Sequence, residues 1–169
     1  MREILFRAKA VNRDPDGEYR TEYQNGDWVY GWITKPPNPY CPDKIPAEMR
    51  NTDGVSGIDV DFDTVGQYTG LKDKNGVLIF EGDIVRDITE RYISKEEKFF
   101  GIAVVKFGKH DVQSDDPFCY GEAYGWYFDG NTVRETPIQY YGYSEFERDE
   151  RYQFEVIGNI FDNRLEDFK

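Results

Sequence analysis

The sequence predicts an all-β protein, and three observations carry that reading. Aromatic residues make up 17% of the chain, with thirteen Tyr, twelve Phe and three Trp, and aromatic and β-branched side chains suit pleated, half-buried surfaces. Sixteen Gly and eight Pro supply turns. Several stretches alternate apolar and polar residues with period two, the spacing of a strand with one wet face. At 169 residues the chain suits one domain or a domain with a small extension. Folding at that length buries about 70% of the unfolded surface, enough for a core without covalent staples.

Residues 3–11, EILFRAKAV, open the series: Phe6, Ala8 and Ala10 fall on one side, Arg7 and Lys9 on the other. DPDG at 14–17 is a turn by composition. In EYRTEYQNGDWVYGWIT, Asn25-Gly26 between aromatic flanks is a hairpin signal. The first 34 residues therefore read as a small meander. Residues 35–57 hold five of the eight prolines. Proline cannot donate to a ladder, so an irregular surface loop is expected, with a short helical turn at 47–51. That loop divides the chain into an N-terminal β segment, 1–57, and a β-barrel core, 58–169.

IDVDFDTVGQY at 58–68 alternates cleanly, placing Ile58, Val60 and Phe62 inside and Asp59, Asp61 and Asp63 outside. TGLKDKNGVLIFEGDIV at 69–85 is the most patterned stretch. Asn75-Gly76 suits a two-residue turn with positive φ, and VLIF is a strand. Glu81-Gly82-Asp83 is a corner, and a further strand follows. TERYISKEEK at 89–98 is a charged loop or helical turn, and FFGIAVVKF at 99–107 a buried strand. Residues 108–122 read as loop, GWYFDG at 125–130 as strand and turn, 136–147 as loop or edge, and YQFEVIGNIF at 152–161 as the last strand.

The formal net charge is −12. Residues 111–169 hold five Lys/Arg against fourteen Asp/Glu, so the last third carries −9 of it. An acidic surface repels phosphate backbones and suits a basic protein partner or simple solubility. Cys41 and Cys119 are the only cysteines, too few for a disulfide framework. The N-terminus, with a short apolar run between charges, is neither a signal peptide nor a membrane span. These features predict a cytoplasmic protein with reduced thiols.

Catalytic and metal motifs fail on inspection. Asp59-x-Asp61-x-Asp63 starts like a calcium loop, but Thr64 stands where that loop needs Gly and Gly70 where it needs Glu. His110, with Asp111 beside it and Cys119 nine residues on, lacks the local signature of a thiol enzyme. Carboxylate pairs such as Glu145 and Glu147 are inevitable among 33 acidic residues. No phosphate-binding or nucleophile-elbow motif occurs. The expectation is no enzyme, no metal and no cofactor. Tyr23, Trp28, Tyr30 and Trp32 alternate. Such a row packs a core or a protein interface, or stacks nucleic-acid bases where a basic groove adjoins it.

The stretch VGQYTGLKDKNGVLIFEGDIV at 65–85 resembles the YopX family of phage and prophage proteins. So do REILFRA from residue 2 and VIGNIFDN at 156–163, in the family's order. The resemblance implies a small, mainly β protein encoded by bacteriophages or prophages, with an SH3-like barrel as core. It brings no assigned activity and no catalytic residues. The block residues Gly66, Gly70, Asn75, Gly76, Gly82, Asp83, Gly158 and Asn159 therefore read as turn and corner residues. The function expected is a non-catalytic accessory protein that binds a host or phage protein or associates with itself as a homo-oligomer. The alternatives are a nucleic-acid-directed role, by direct binding through 61–110 or by acidic mimicry of DNA, and an uncharacterised enzyme.

Overall fold

A computed structural model describes residues 4–11, 22–36, 47–87, 101–113, 120–129, 136–137 and 154–168. The described residues are all-β apart from one 3₁₀ turn at Leu165–Phe168. The chain forms two compact units, Met1–Gly70 and Leu71–Lys169. The turn at 14–17, most of the proline-rich loop, the segment 89–98, both cysteines and the carboxylate pair at 145 and 147 lie outside the described residues.

In the first unit, β1 (Phe6–Ala10), β2 (Trp28–Lys35), β3 (Ala47–Asn51) and β4 (Ile58–Lys72) pair antiparallel in sequence order. The free edge of β1 then pairs with β4, and the sheet closes into a ring. A strand of period two has one face to bury, and the ring buries it inward. Ala8, Ala10, Val29, Ala47, Met49, Ile58 and Val60 form the core, with Phe6, Tyr23, Ile33 and Val65 packed against it. The closed pairing lies within residues 6–67, mostly in the N-terminal segment, and shares only β4 with the β-barrel core expected over 58–169.

Three local readings change. The segment 47–51 is a strand, not a helical turn, because it is zipped between β2 and β4 and turns Ala47, Met49 and Asn51 inward. Asn25-Gly26 does turn, with Gly26 at φ 91°, but it leads into β2, whose partners are β1 and β3. Phe62 faces solvent rather than the core. The register between β1 and β4 jumps from Lys9↔Asp61 to Arg7↔Gly66. In that bulge the Thr64 hydroxyl accepts from Lys9 N–H at 2.8 Å and donates to Asp61 C=O at 2.6 Å. A bulge re-aims the side chains that follow it, and Thr64, not Phe62, is buried.

The second unit opens with the end of β4 and the short β5 (Leu78–Phe80), neighbours in the first sheet. Its own sheet has the order β10-β6-β7-β8-β9, antiparallel throughout. The strands are β6 (Asp83–Asp87), β7 (Gly101–Gln113), β8 (Tyr120–Asp129), β9 (Thr136–Pro137) and β10 (Phe154–Asn159). Ile79, Val85, Ala103, Val105, Trp126, Phe128 and Phe154 make its core, with Leu71 and Val156 against them. Residues 108–113 and 120–122, read from sequence as loop, continue β7 and β8 as a long ribbon paired from Val104↔Asp129 to Gln113↔Tyr120.

Candidate functional site

The two sequence blocks that end the family pattern meet in the second unit. Asp73 lies at its first turn, where Gly76 N–H donates to Asp73 C=O at 3.0 Å. The Asp73 carboxylate accepts from Asn75 N–H at 2.7 Å and Val77 N–H at 2.8 Å through one oxygen. Its other oxygen accepts from Val156 N–H at 3.1 Å, across the sheet. Backbone carbonyls and amides add to this: Lys74 N–H donates to Phe154 C=O at 2.9 Å. The turn is thus both shaped and docked by one buried carboxylate.

Asp83 does the same at the next corner. It is 1% exposed. One carboxylate oxygen accepts from Phe80 N–H at 2.7 Å, and the other from Asn159 Nδ2 at 3.3 Å. The Asn159 side-chain oxygen accepts from Phe161 N–H at 2.9 Å, which fixes the amide's orientation. Gly82, at φ 82°, makes the corner: its N–H donates to Val105 C=O and its C=O accepts from Ile160 N–H. Positive φ is the region where a Cβ is penalised, and here Phe161 would stand 3.3 Å from one. Gly158 lies under Asn163 and Phe168, each 2.6 Å from where its Cβ would stand. Gly66 pairs with Arg7 in the first unit, Gly70 has φ 91°, and Gly76 φ 82°. The Asp73, Asp83 and Asn159 side chains are therefore engaged with backbone amides and with one another. Asp73, which the sequence reading passed over, is as central as Asp83. An aspartate two residues before Asn-Gly is the signal that an Asx turn offers.

Two surfaces stand out by exposure. On the outer face of the ring, Trp28, Tyr30 and Trp32 point away from the core, and Tyr30 and Trp32 are 39% and 42% exposed. The Arg7 guanidinium and the Lys9 ammonium lie 4.6 and 4.4 Å from the Trp28 ring centre. Tyr30 stands opposite Arg7 and Trp32 opposite Arg50. On the ribbon of the second unit, Phe107 and Tyr124 are 48% and 71% exposed. Their rings meet edge-on at 5.3 Å, and Phe107 also leans on Trp126 at 4.8 Å.

A family model described as YopX protein matches residues 18–166. The chain belongs to the YopX family. No curated protein and no solved structure matches it.

His110 sits on β7 of this YopX chain, where it is buried rather than solvated. Its ring stacks on Tyr127 at 4.9 Å. Nδ1 lies 3.2 Å from Gly108 C=O, which places the proton on Nδ1. Nε2 is buried with no hydrogen-bond partner among the described residues. Cys119 lies outside those residues, so the sequence pair is not brought together in what is described. Asp61 and Asp63 are exposed, and Asp61 accepts from Asp63 N–H at 3.1 Å, an Asx turn within the bulge. Among the described residues, no three His, Cys, Asp or Glu side chains gather as a metal site. Among them also, no helix is long and apolar enough to cross a membrane.

One ion pair on the ring's outer face has a measurable signature. Lys35 Nζ donates to Glu48 at 2.6 Å. That hydrogen bond, followed by the charge of Glu48, raises the ammonium above its ordinary value of 10.5. A raised folded-state pKa gives stability that is complete below 10.5 and lost as pH rises through the raised value. Glu48→Gln is expected to bring the Lys35 titration back toward 10.5, followed by NMR of its side-chain ε protons. An unchanged midpoint would show that the pair does not form in solution.

Proposed function

We propose that this YopX chain is a phage- or prophage-encoded accessory protein. In this reading it works in the bacterial cytoplasm by binding another protein, not by catalysis. The observation that carries the reading is the outer half of the β7–β8 ribbon. Among the described residues, β6 and the Gly82 corner before it reach β7 only over Gly101–Val105, and β9 pairs with β8 only at Tyr127 and Phe128. Beyond those points, among the described residues, each ribbon strand has only the other as its neighbour. A sheet edge is where a strand can be added, and the Phe107–Tyr124 face supplies aromatic anchors of the kind that dominate interfaces. Lys109 and Glu122, paired at 2.6 Å beside it, give the patch a neutral rim within an acidic chain.

The test is affinity capture from a bacterial host lysate, with the wild-type chain beside Phe107→Ser/Tyr124→Ser. The expected result is a protein held by the wild type and lost by the double variant. Light scattering distinguishes self-association, which would appear as a dimer that the same variant dissociates. Equal capture by both chains, with no dimer, would end the assignment to this face.

A further inference from the structure

We propose that Asn25 is a site of spontaneous deamidation, ending in isoaspartate, and that the Asp73 carboxylate holds Asn75 back from the same reaction. This chemistry is separate from the ribbon, so either reading can fail without the other. The sequence holds two Asn-Gly dipeptides, 25–26 and 75–76. Glycine has no Cβ to crowd its nitrogen, and that nitrogen is the nucleophile. It attacks the side-chain carbonyl carbon of the asparagine. One C–N bond forms and the bond to the side-chain nitrogen breaks. That nitrogen leaves as ammonia, taking the glycine N–H proton. Water then opens the five-membered imide at either carbonyl, giving aspartate or isoaspartate. Water is the only co-reactant.

Exposure does not separate the two sites. Both Asn-Gly pairs are exposed. Among the described residues, nothing lies within 4 Å of where a Cβ would stand on Gly26 or Gly76. Nor does the nucleophile separate them: Gly26 N–H donates to Ala10 C=O at 2.9 Å, and Gly76 N–H to Asp73 C=O at 3.0 Å. The difference lies in how the flanking backbone is held, because attack requires the peptide plane between Asn and Gly to rotate. One Asp73 oxygen accepts from the Asn75 and Val77 amides, the two N–H groups that bracket that plane. Asp73 is 7% exposed, and its other oxygen accepts from Val156 N–H. Rotation at 75–76 must therefore break two charge-assisted bonds to a buried carboxylate. At 25–26 the bracketing bonds run from Gln24 N–H to the Asp27 carboxylate at 2.7 Å and from Asp27 N–H to Gln24 C=O at 3.1 Å. Asp27 is exposed, and water replaces exposed bonds at small net cost, so this turn opens locally. Isoaspartate at 25 would add a methylene to the backbone. The turn carries the bonds from Gly26 N–H to Ala10 C=O and from Ala10 N–H to Asp27 C=O, so the product loosens the end of β1.

The experiment incubates the full chain in alkaline buffer and follows both sites in one sample by peptide mass spectrometry. Isoaspartyl methyltransferase with a labelled methyl donor reports the isoaspartate. In urea, where neither turn persists, the two sites should react at comparable rates. In the folded chain Asn75 should fall about a hundredfold behind Asn25, the factor for breaking two charged hydrogen bonds before each attack. Asp73→Ser removes the carboxylate and leaves a hydroxyl, which shapes a similar turn more weakly. It should speed Asn75 about tenfold and leave Asn25 unchanged. Circular dichroism checks the fold of that variant, and the wild-type ratio decides the proposal even where the variant unfolds. Asn25 remaining an amide in the folded chain would overturn the proposal. So would equal rates at the two sites in the folded chain, or a gap of the same size already present in urea. A folded Asp73→Ser chain in which Asn75 stays slow would remove Asp73 from its assigned role.

Discussion

Asp83→Ala should destabilise the second unit by about 4 kcal/mol. The carboxylate is 1% exposed and serves two donors, the Phe80 amide and the Asn159 side chain. A buried donor left without a partner costs about 1–3 kcal/mol, and alanine leaves two. The loss should appear as a fall in the urea midpoint with little change in slope. Trp126 is the tryptophan of the second unit, so a Trp28→Phe/Trp32→Phe background lets fluorescence follow that unit. Asp83→Asn should cost about half as much. Its amide oxygen still serves Phe80, but its nitrogen meets the nitrogen of Asn159, whose oxygen already serves Phe161. Equal midpoints for wild type and Asp83→Ala would mean that the corner holds without this side chain.

Gly31→Ala should break the ring where β2 passes close to the backbone of β3. A Cβ on Gly31 would lie 1.9 Å from the Arg50 carbonyl oxygen and 2.8 Å from Asn51 Cα. These are backbone atoms of β3, so no side-chain rotation relieves the clash. Overpacking a tight core costs about 1–3 kcal/mol, and more where backbone must move. The loss here should be about 3 kcal/mol or larger. Hydrogen exchange is the direct readout: amides of the β2–β3 ladder, Gly31 to Met49 and Asn51, should lose protection. A variant that exchanges at the wild-type rate would contradict the approach of these strands.

What the sequence made legible was local. The period-two pattern of Phe6, Ala8 and Ala10 needs nothing beyond its neighbours, and the strand turns Ala8 and Ala10 into the core as that pattern says, while Arg7, expected on the wet side, is buried against Trp28. The same pattern in Ile58, Val60 and Phe62 holds for two residues and then fails, because Thr64 bonds to a strand 55 positions away. Ala47, Glu48, Met49 and Arg50 are all good helix formers. Their pairing with two flanking strands outweighs that preference, as tertiary context commonly does. The length of β7 and β8 was hidden for a related reason: Gly108, Lys109, Asp111 and Gln113 look like loop, and only the facing strand shows the ladder. At the candidate surface, the alternation of Trp28, Tyr30 and Trp32 could be read directly. The cations beside them could not, since Arg7 and Arg50 come from strands about twenty residues away on either side.

The wiring of the two sheets also sets a timetable. The ring needs nothing beyond residue 67 to complete its pairings. The second sheet waits for β10, whose partner β6 was made some seventy residues earlier. A ribosome adding roughly 5–20 residues per second takes roughly 5–20 s to travel from residue 67 to residue 159. During that interval Asp73 and Asp83 have emerged, while the amides of Val156 and Asn159 that they will hold do not yet exist.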